Sequence, residues 1–188
     1  MTYMKTSKTA LNLTEGRPMK LILRFAIPVF LGNLFQICYS LVDTKIVGSI
    51  LGEEALAAVG SVSILYTLLT GFFNGLSLGF SVITARFYGS GEERKLKENV
   101  AGAILLGYLT AAVIITLVSV FLRPILTLLN VPPEQLDMSH SYIALLVWGM
   151  FVTLAYNLCA NTLRAIGDSI TPLIFLVIAA LTNVALDY

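Results

Sequence analysis

Charged residues punctuate the chain, and long apolar runs fill the gaps between them. Arg24 to Asp43 encloses 18 uncharged residues, Glu54 to Arg86 31, Glu98 to Arg123 24, Asp137 to Arg164 26 and Asp168 to Asp187 18. A helix rises about 1.5 Å per residue and a bilayer core is about 30 Å thick, so each gap with its flanks is long enough to cross. An open strand cannot cross, because its backbone groups would have no partners in hydrocarbon. The pattern predicts an all-α, polytopic membrane helix bundle. Its five transmembrane helices span about 21–46, 55–85, 99–122, 138–163 and 169–188, behind a polar leader, 1–20.

Composition agrees. Of 188 residues, 57% are apolar and 12% are charged, half the roughly 25% of a soluble domain. This excludes a soluble globular domain, a disordered segment and a nucleic-acid binder, and the net charge of +1 offers no general attraction to anionic partners. The first apolar run is too long for a signal-peptide core and no small-residue cleavage site follows it, so it reads as a retained helix. Cys38 and Cys159 lie inside apolar runs and read as buried thiols.

Lysine and arginine set the orientation. The leader, the second loop and the fourth loop together carry ten of them; the first and third loops carry only Lys45 and Arg123. Basic loops stay inside, so the N-terminus and loops two and four are expected in the cytoplasm. The sequence stops one residue after Asp187, with no basic cap on the fifth span, and is expected to be a fragment.

Gly71, Gly75 and Gly79 repeat at four-residue spacing, the pattern that lets a second helix approach in lipid. Pro28 removes a backbone bond within the first span and is a candidate bend. Glu92 to Glu98 mixes both signs, as a solvated helix end does. Arg164 and Asp168 flank Gly167 and are expected to brace the fourth loop.

Polar residues inside spans are costly, about 2.5–3.5 kcal/mol for a central Asp on insertion scales, and usually face a cavity. Asp43 and Asp187 are the two candidates. Gln36 and Tyr39 precede Asp43 by seven and four residues, on one helical face. Asn183 precedes Asp187 by four. Asn157 and Asn161 form a similar pair on the fourth span. Pooled, these groups could hold a proton or Na⁺: burial and a like charge raise a carboxylate pKa, and hard oxygens suit Na⁺. Two aspartates could also serve as an acid–base pair, but no nucleophile stands beside a base, and no phosphate-binding loop is present. An enzyme is not expected.

The chain resembles the N-terminal part of the multidrug and toxic compound extrusion (MATE) family, in its DinF-like branch. The resemblance rests on Leu13-Thr-Glu-Gly-Arg-Pro18 with Arg24-Phe-Ala-Ile-Pro28, on Tyr39-Ser-Leu-Val-Asp-Thr44 and Leu51-Gly-Glu-Glu-Ala-Leu-Ala-Ala58, on Arg164-Ala-Ile-Gly-Asp168, and on Asn183-Val-Ala-Leu-Asp187. It covers nearly the whole chain in order. Ala165-Ile166 departs from the family, where a glycine-containing pair is common. The resemblance implies a parent protein of twelve helices in two six-helix lobes, of which this chain supplies helices one to five of the N-lobe and lacks the C-lobe. It implies export of drugs or other small organic, often cationic, substrates across the plasma membrane in exchange for H⁺ or Na⁺, with no further cofactor. The coupling cation, including a possible Na⁺, would sit at Asp43 and Asp187, with Asn183, Tyr39, Gln36 and Asn161 around it and a bend at Pro28. A flippase for lipid-linked precursors shares this architecture and is the alternative; no intramembrane basic cluster supports it.

Overall fold

The structure, a computed structural model, describes residue 11 and residues 16–186; for residues 39, 43, 44, 46–58, 61, 184 and 186 it describes the backbone alone. Five helices follow in order: α1 (Pro18–Gly89), α2 (Glu93–Val120), α3 (Leu122–Leu128), α4 (Leu136–Ala165) and α5 (Ile170–Leu186). A single 3₁₀ turn, Pro133–Gln135, precedes α4. No strand occurs among the described residues. The protein is all-α and built as a polytopic membrane protein. Among the described residues, four stretches are long and apolar enough to cross a bilayer, Pro18–Val42, Val62–Gly89, Glu93–Val120 and Pro133–Ala165; α5 adds a shorter one, Ile170–Asn183.

Local chemistry sets the helix ends. Pro18 opens α1, where its missing N–H costs nothing. Gly91, at φ +72°, turns the chain from α1 into α2. Pro124 cannot donate to the Val120 carbonyl, and the helix breaks at Phe121 to give the separate α3, an element absent from the charge-gap reading. Asn130, at φ +58°, closes α3, with Val131 N–H reaching back to Leu126 O at 3.2 Å. Two prolines then delay α4.

The charge gaps place a loop between residues 46 and 55. Helical backbone instead runs through it, because Leu51 to Ala58 consists largely of Leu, Glu and Ala, which are good helix formers, and holds no proline. This helix is not a straight rod. Residues 1–43 and 80–100 share one compact unit with 159–188, whereas a straight helix would hold Asp43 and Phe80 roughly 55 Å apart.

The second unit, residues 44–79 and 101–158, carries most of the core. Val62, Leu65, Leu69 and Phe73 of α1 are buried at helical spacing, as are Ala111 and Ile115 of α2 and Ile143, Val147, Met150 and Leu154 of α4. α2 and α4 approach closely at Gly107, where a Cβ would stand 3.3 Å from Leu158 Cδ1 and 3.7 Å from Leu154 Cδ2. The expected stripe of Gly71, Gly75 and Gly79 does not make such a contact: a Cβ on each meets nothing within 4 Å. The stripe lies about 140° around the helix from Leu69 and Phe73, so core burial turns it outward. Cys38 and Cys159 are exposed rather than buried. Apolar runs in a membrane protein face lipid as often as protein, so an apolar neighbourhood does not imply burial inside the fold.

Several hydroxyls within the spans bond their own helix. Ser77 Oγ donates to Phe73 O at 2.8 Å and Thr182 Oγ1 to Ile178 O at 2.9 Å. This satisfies them without a partner from lipid.

Candidate functional site

The described candidate residues of the first and fifth spans belong to the first unit. Gly32 is the one buried residue described between Pro18 and Val42. A Cβ on it would lie 3.6 Å from Leu173 Cδ1 and 3.8 Å from Leu176 Cδ2. This contact lays the first span of α1 against α5.

Helical register extends the contact outward. Gln36, Tyr39 and Asp43 follow Gly32 by 4, 7 and 11 residues, so their backbone positions fall within about 40° of its direction and roughly 6, 10 and 16 Å along the axis. Asn183 follows Leu176 by seven residues, roughly 10 Å along α5. By register the backbone positions of Gln36, Tyr39 and Asp43 fall on the helical face of Gly32, the residue that meets α5.

The side chains themselves differ in what is seen. Gln36 is exposed, and so is Asn33, one turn below it. The sequence reading omitted Asn33, although its three-residue offset from Gln36 was the available signal. Asn183 is half-buried, and its Oδ1 is fully buried with no hydrogen-bond donor among the described residues. Tyr39 and Asp43 sit in helical backbone, and their side chains are outside the description. Asp187 lies outside the described residues. Pro28 lies inside α1, which continues through it.

Asn161 is a different case. It is buried, 4% exposed, and its Oδ1 accepts a 3.2 Å hydrogen bond from Arg164 Nη1. It stands four residues before the end of α4, roughly 6 Å, whereas Asn183 stands 13 residues into α5, roughly 20 Å from the shared turn. The structure does not bring the two amides to one level. The expected brace between Arg164 and Asp168 also takes another form. Asp168 is buried and accepts from Thr171 N–H at 3.0 Å and Thr171 Oγ1 at 2.7 Å, capping the start of α5.

An all-helical chain with several bilayer-length apolar stretches defines a polytopic membrane protein. Comparison with known proteins sharpens this. The MatE family model matches residues 28–188. A probable multidrug resistance protein of Bacillus subtilis, YoeA, is 33% identical over 86% of this chain and 35% of its own length. An FAD transporter of Shewanella oneidensis is 28% identical over 98% of this chain and 40% of its own. The crystal structure of a MATE protein in complex with MaD3S superposes with a TM-score of 0.87 at 27% identity, over 97% of this chain and 41% of that one. The chain belongs to the MATE family of multidrug efflux transporters, whose members are transporters rather than enzymes. It spans about 35–40% of the length of these relatives.

Proposed function

We propose that the full-length transporter exports drugs or other small organic cations in exchange for H⁺ or Na⁺. Its coupling cation is held by Asp43 and Asp187, with Asn183, Tyr39 and Gln36 beside them. The observation that supports this most is Asn183 Oδ1. A buried carbonyl oxygen without a donor is an expensive group unless a cation or proton-bearing partner fills it. It lies on α5, and Asp187 follows it by four residues in the sequence.

The physical cycle follows from charge. Two carboxylates in a low-dielectric recess repel each other and are poorly solvated, so uptake of a cation relaxes both costs. With the acids neutralised, the first span no longer needs water along its polar face and can bend near Pro28, where one backbone hydrogen bond is missing. Release of the ion restores the charged, hydrated state. One pH unit supplies about 1.4 kcal/mol per H⁺, enough for a tenfold substrate gradient at one-to-one exchange. No nucleotide is required.

The reading includes a multi-pass protein of the plasma membrane with a cytoplasmic N-terminus, from the ten-to-two bias of basic residues. It also includes a second lobe that completes the twelve-helix pathway. Proteoliposomes carrying the full-length protein test it. Efflux of an organic cation dye should follow an imposed H⁺ or Na⁺ gradient and fall at least tenfold in Asp43→Asn. Unchanged gradient-driven efflux in that variant would refute the reading.

A further inference from the structure

The end of α4 that carries Arg164 holds more buried donors than acceptors. Arg164 Nη1 donates to Asn161 Oδ1 at 3.2 Å. Arg164 Nε, Asn161 Nδ2 and Ser169 Oγ are all buried, and none has a hydrogen-bond partner among the described residues. Asn161 and Ser169 are 4% and 2% exposed.

The usual occupations of such an arginine are already taken. The last carbonyls of α4 are satisfied by the turn itself, with Ile166 N–H on Thr162 O, Gly167 N–H on Arg164 O and Asp168 N–H on Leu163 O. Arg164 is therefore not needed as a C-terminal cap. The nearest acid in sequence, Asp168, gives its oxygens to Thr171. Arg94, Lys95, Lys97 and Arg123 each pair with a carboxylate, whereas Arg164 forms no ion pair among the described residues. A guanidinium edge, an amide N–H and a hydroxyl, all shielded and all lacking an oxygen, are complementary to a tetrahedral oxyanion.

We propose that Arg164, Asn161 and Ser169 form a phosphate-binding seat at the α4–α5 turn. The turn ends a membrane span, which puts Arg164 at headgroup depth, where basic side chains between helices engage anionic lipid. The phosphate is that of an acidic phospholipid or a free one. The inference does not depend on the transport cycle proposed above.

Native mass spectrometry of the detergent-purified full-length protein, titrated with phosphatidylglycerol, tests the lipid arm. Thermal unfolding with inorganic phosphate tests the other. At least one ligand should bind the wild type ten times more tightly than Arg164→Ala or Asn161→Asp, while Arg123→Ala behaves as wild type. Asn161→Asp is the decisive variant even if Arg164→Ala fails to fold, because its carboxylate pairs with Arg164 in place of the ligand and keeps the turn intact. Response to phosphatidylglycerol alone identifies a lipid, and response to phosphate alone a free anion. Equal response of wild type and Asn161→Asp to both ligands overturns the proposal.

Discussion

Gly32 of α1 faces Leu173 of α5 closely enough that a Cβ built on it would stand 3.6 Å from Leu173 Cδ1, ordinary van der Waals contact. That spacing admits one methyl group and little more. Gly32→Ala is expected to fold normally and to gain stability, since Ala exceeds Gly in helix propensity by about 1 kcal/mol. Gly32→Leu should cost about 1–3 kcal/mol through overpacking and push the first span off α5. Thermal unfolding of the full-length variants in detergent checks both, and a loss of transport in Gly32→Leu alone would tie the contact to function.

Gly167 meets two demands at once. Its φ is +90°, and a Cβ would collide with the Leu11 carbonyl, whose own N–H donates to Gly167 O at 3.0 Å. Gly167→Ala should therefore cost roughly 1–3 kcal/mol and release the leader from the turn. Hydrogen exchange at the Leu11 amide should accelerate in the variant. Protection equal to wild type would show that the leader is held elsewhere.

Thr84 and Asn99 tie the end of α1 to α2. Asn99 Nδ2 donates to Thr84 Oγ1 at 2.8 Å, and Thr84 Oγ1 donates to Phe80 O at 3.1 Å. Thr84 is 1% exposed. Thr84→Val keeps the shape and strands the Asn99 donor, at a cost of about 1–3 kcal/mol. Thr84→Ser should recover most of it. Unfolding midpoints of the pair give the comparison.

Glu92 lies in the turn between α1 and α2. Its carboxylate is bonded by Lys95 Nζ and, at 3.1 Å, by Ser90 Oγ, and these contacts, Lys95 first, hold its pKa below the ordinary glutamate range. A depressed folded pKa contributes stability above the unfolded value and loses it as pH falls through the folded one. The carboxylate is open to solvent, so salt should screen the ion-pair part of the effect. Carboxyl ¹³C titration of Glu92 should move upward in Lys95→Ala, and upward in wild type at high salt.

Much of this was legible in the sequence because lipid excludes charge. The gap from Glu98 to Arg123 and that from Asp137 to Arg164 could only be apolar helices. The mixed charges Glu92 to Glu98 form exposed i,i+3 and i,i+4 pairs at the start of α2, as such a run does in water. Helix continuity was less legible. The residues from Leu51 to Ala58 are polar enough to leave the membrane yet remain strong helix formers, so charge and helicity part company there. The glycine stripe misled because small residues permit close packing without supplying the partner, whereas Gly107 stood alone in sequence and is packed. Within the site, period 3.6 grouped Gln36, Tyr39 and Asp43 on one face before any contact was known. It could not reveal Gly32 as the point where that face meets α5. Nor could it show that Asn161 Oδ1 accepts from Arg164 one turn on, since which rotamers meet along a helix is not written in the spacing.

Asp43 and Asp187 belong to separate spans but, on this account, to one cation seat, and a double-mutant cycle on coupling-ion affinity in the full-length protein tests that directly. Asp43→Asn and Asp187→Asn should each weaken H⁺ or Na⁺ binding at least tenfold. The double variant should be little worse than either single one, because the shared seat is already lost. Losses that simply add would place the two acids in separate sites, and unchanged affinity in both single variants would remove the site altogether.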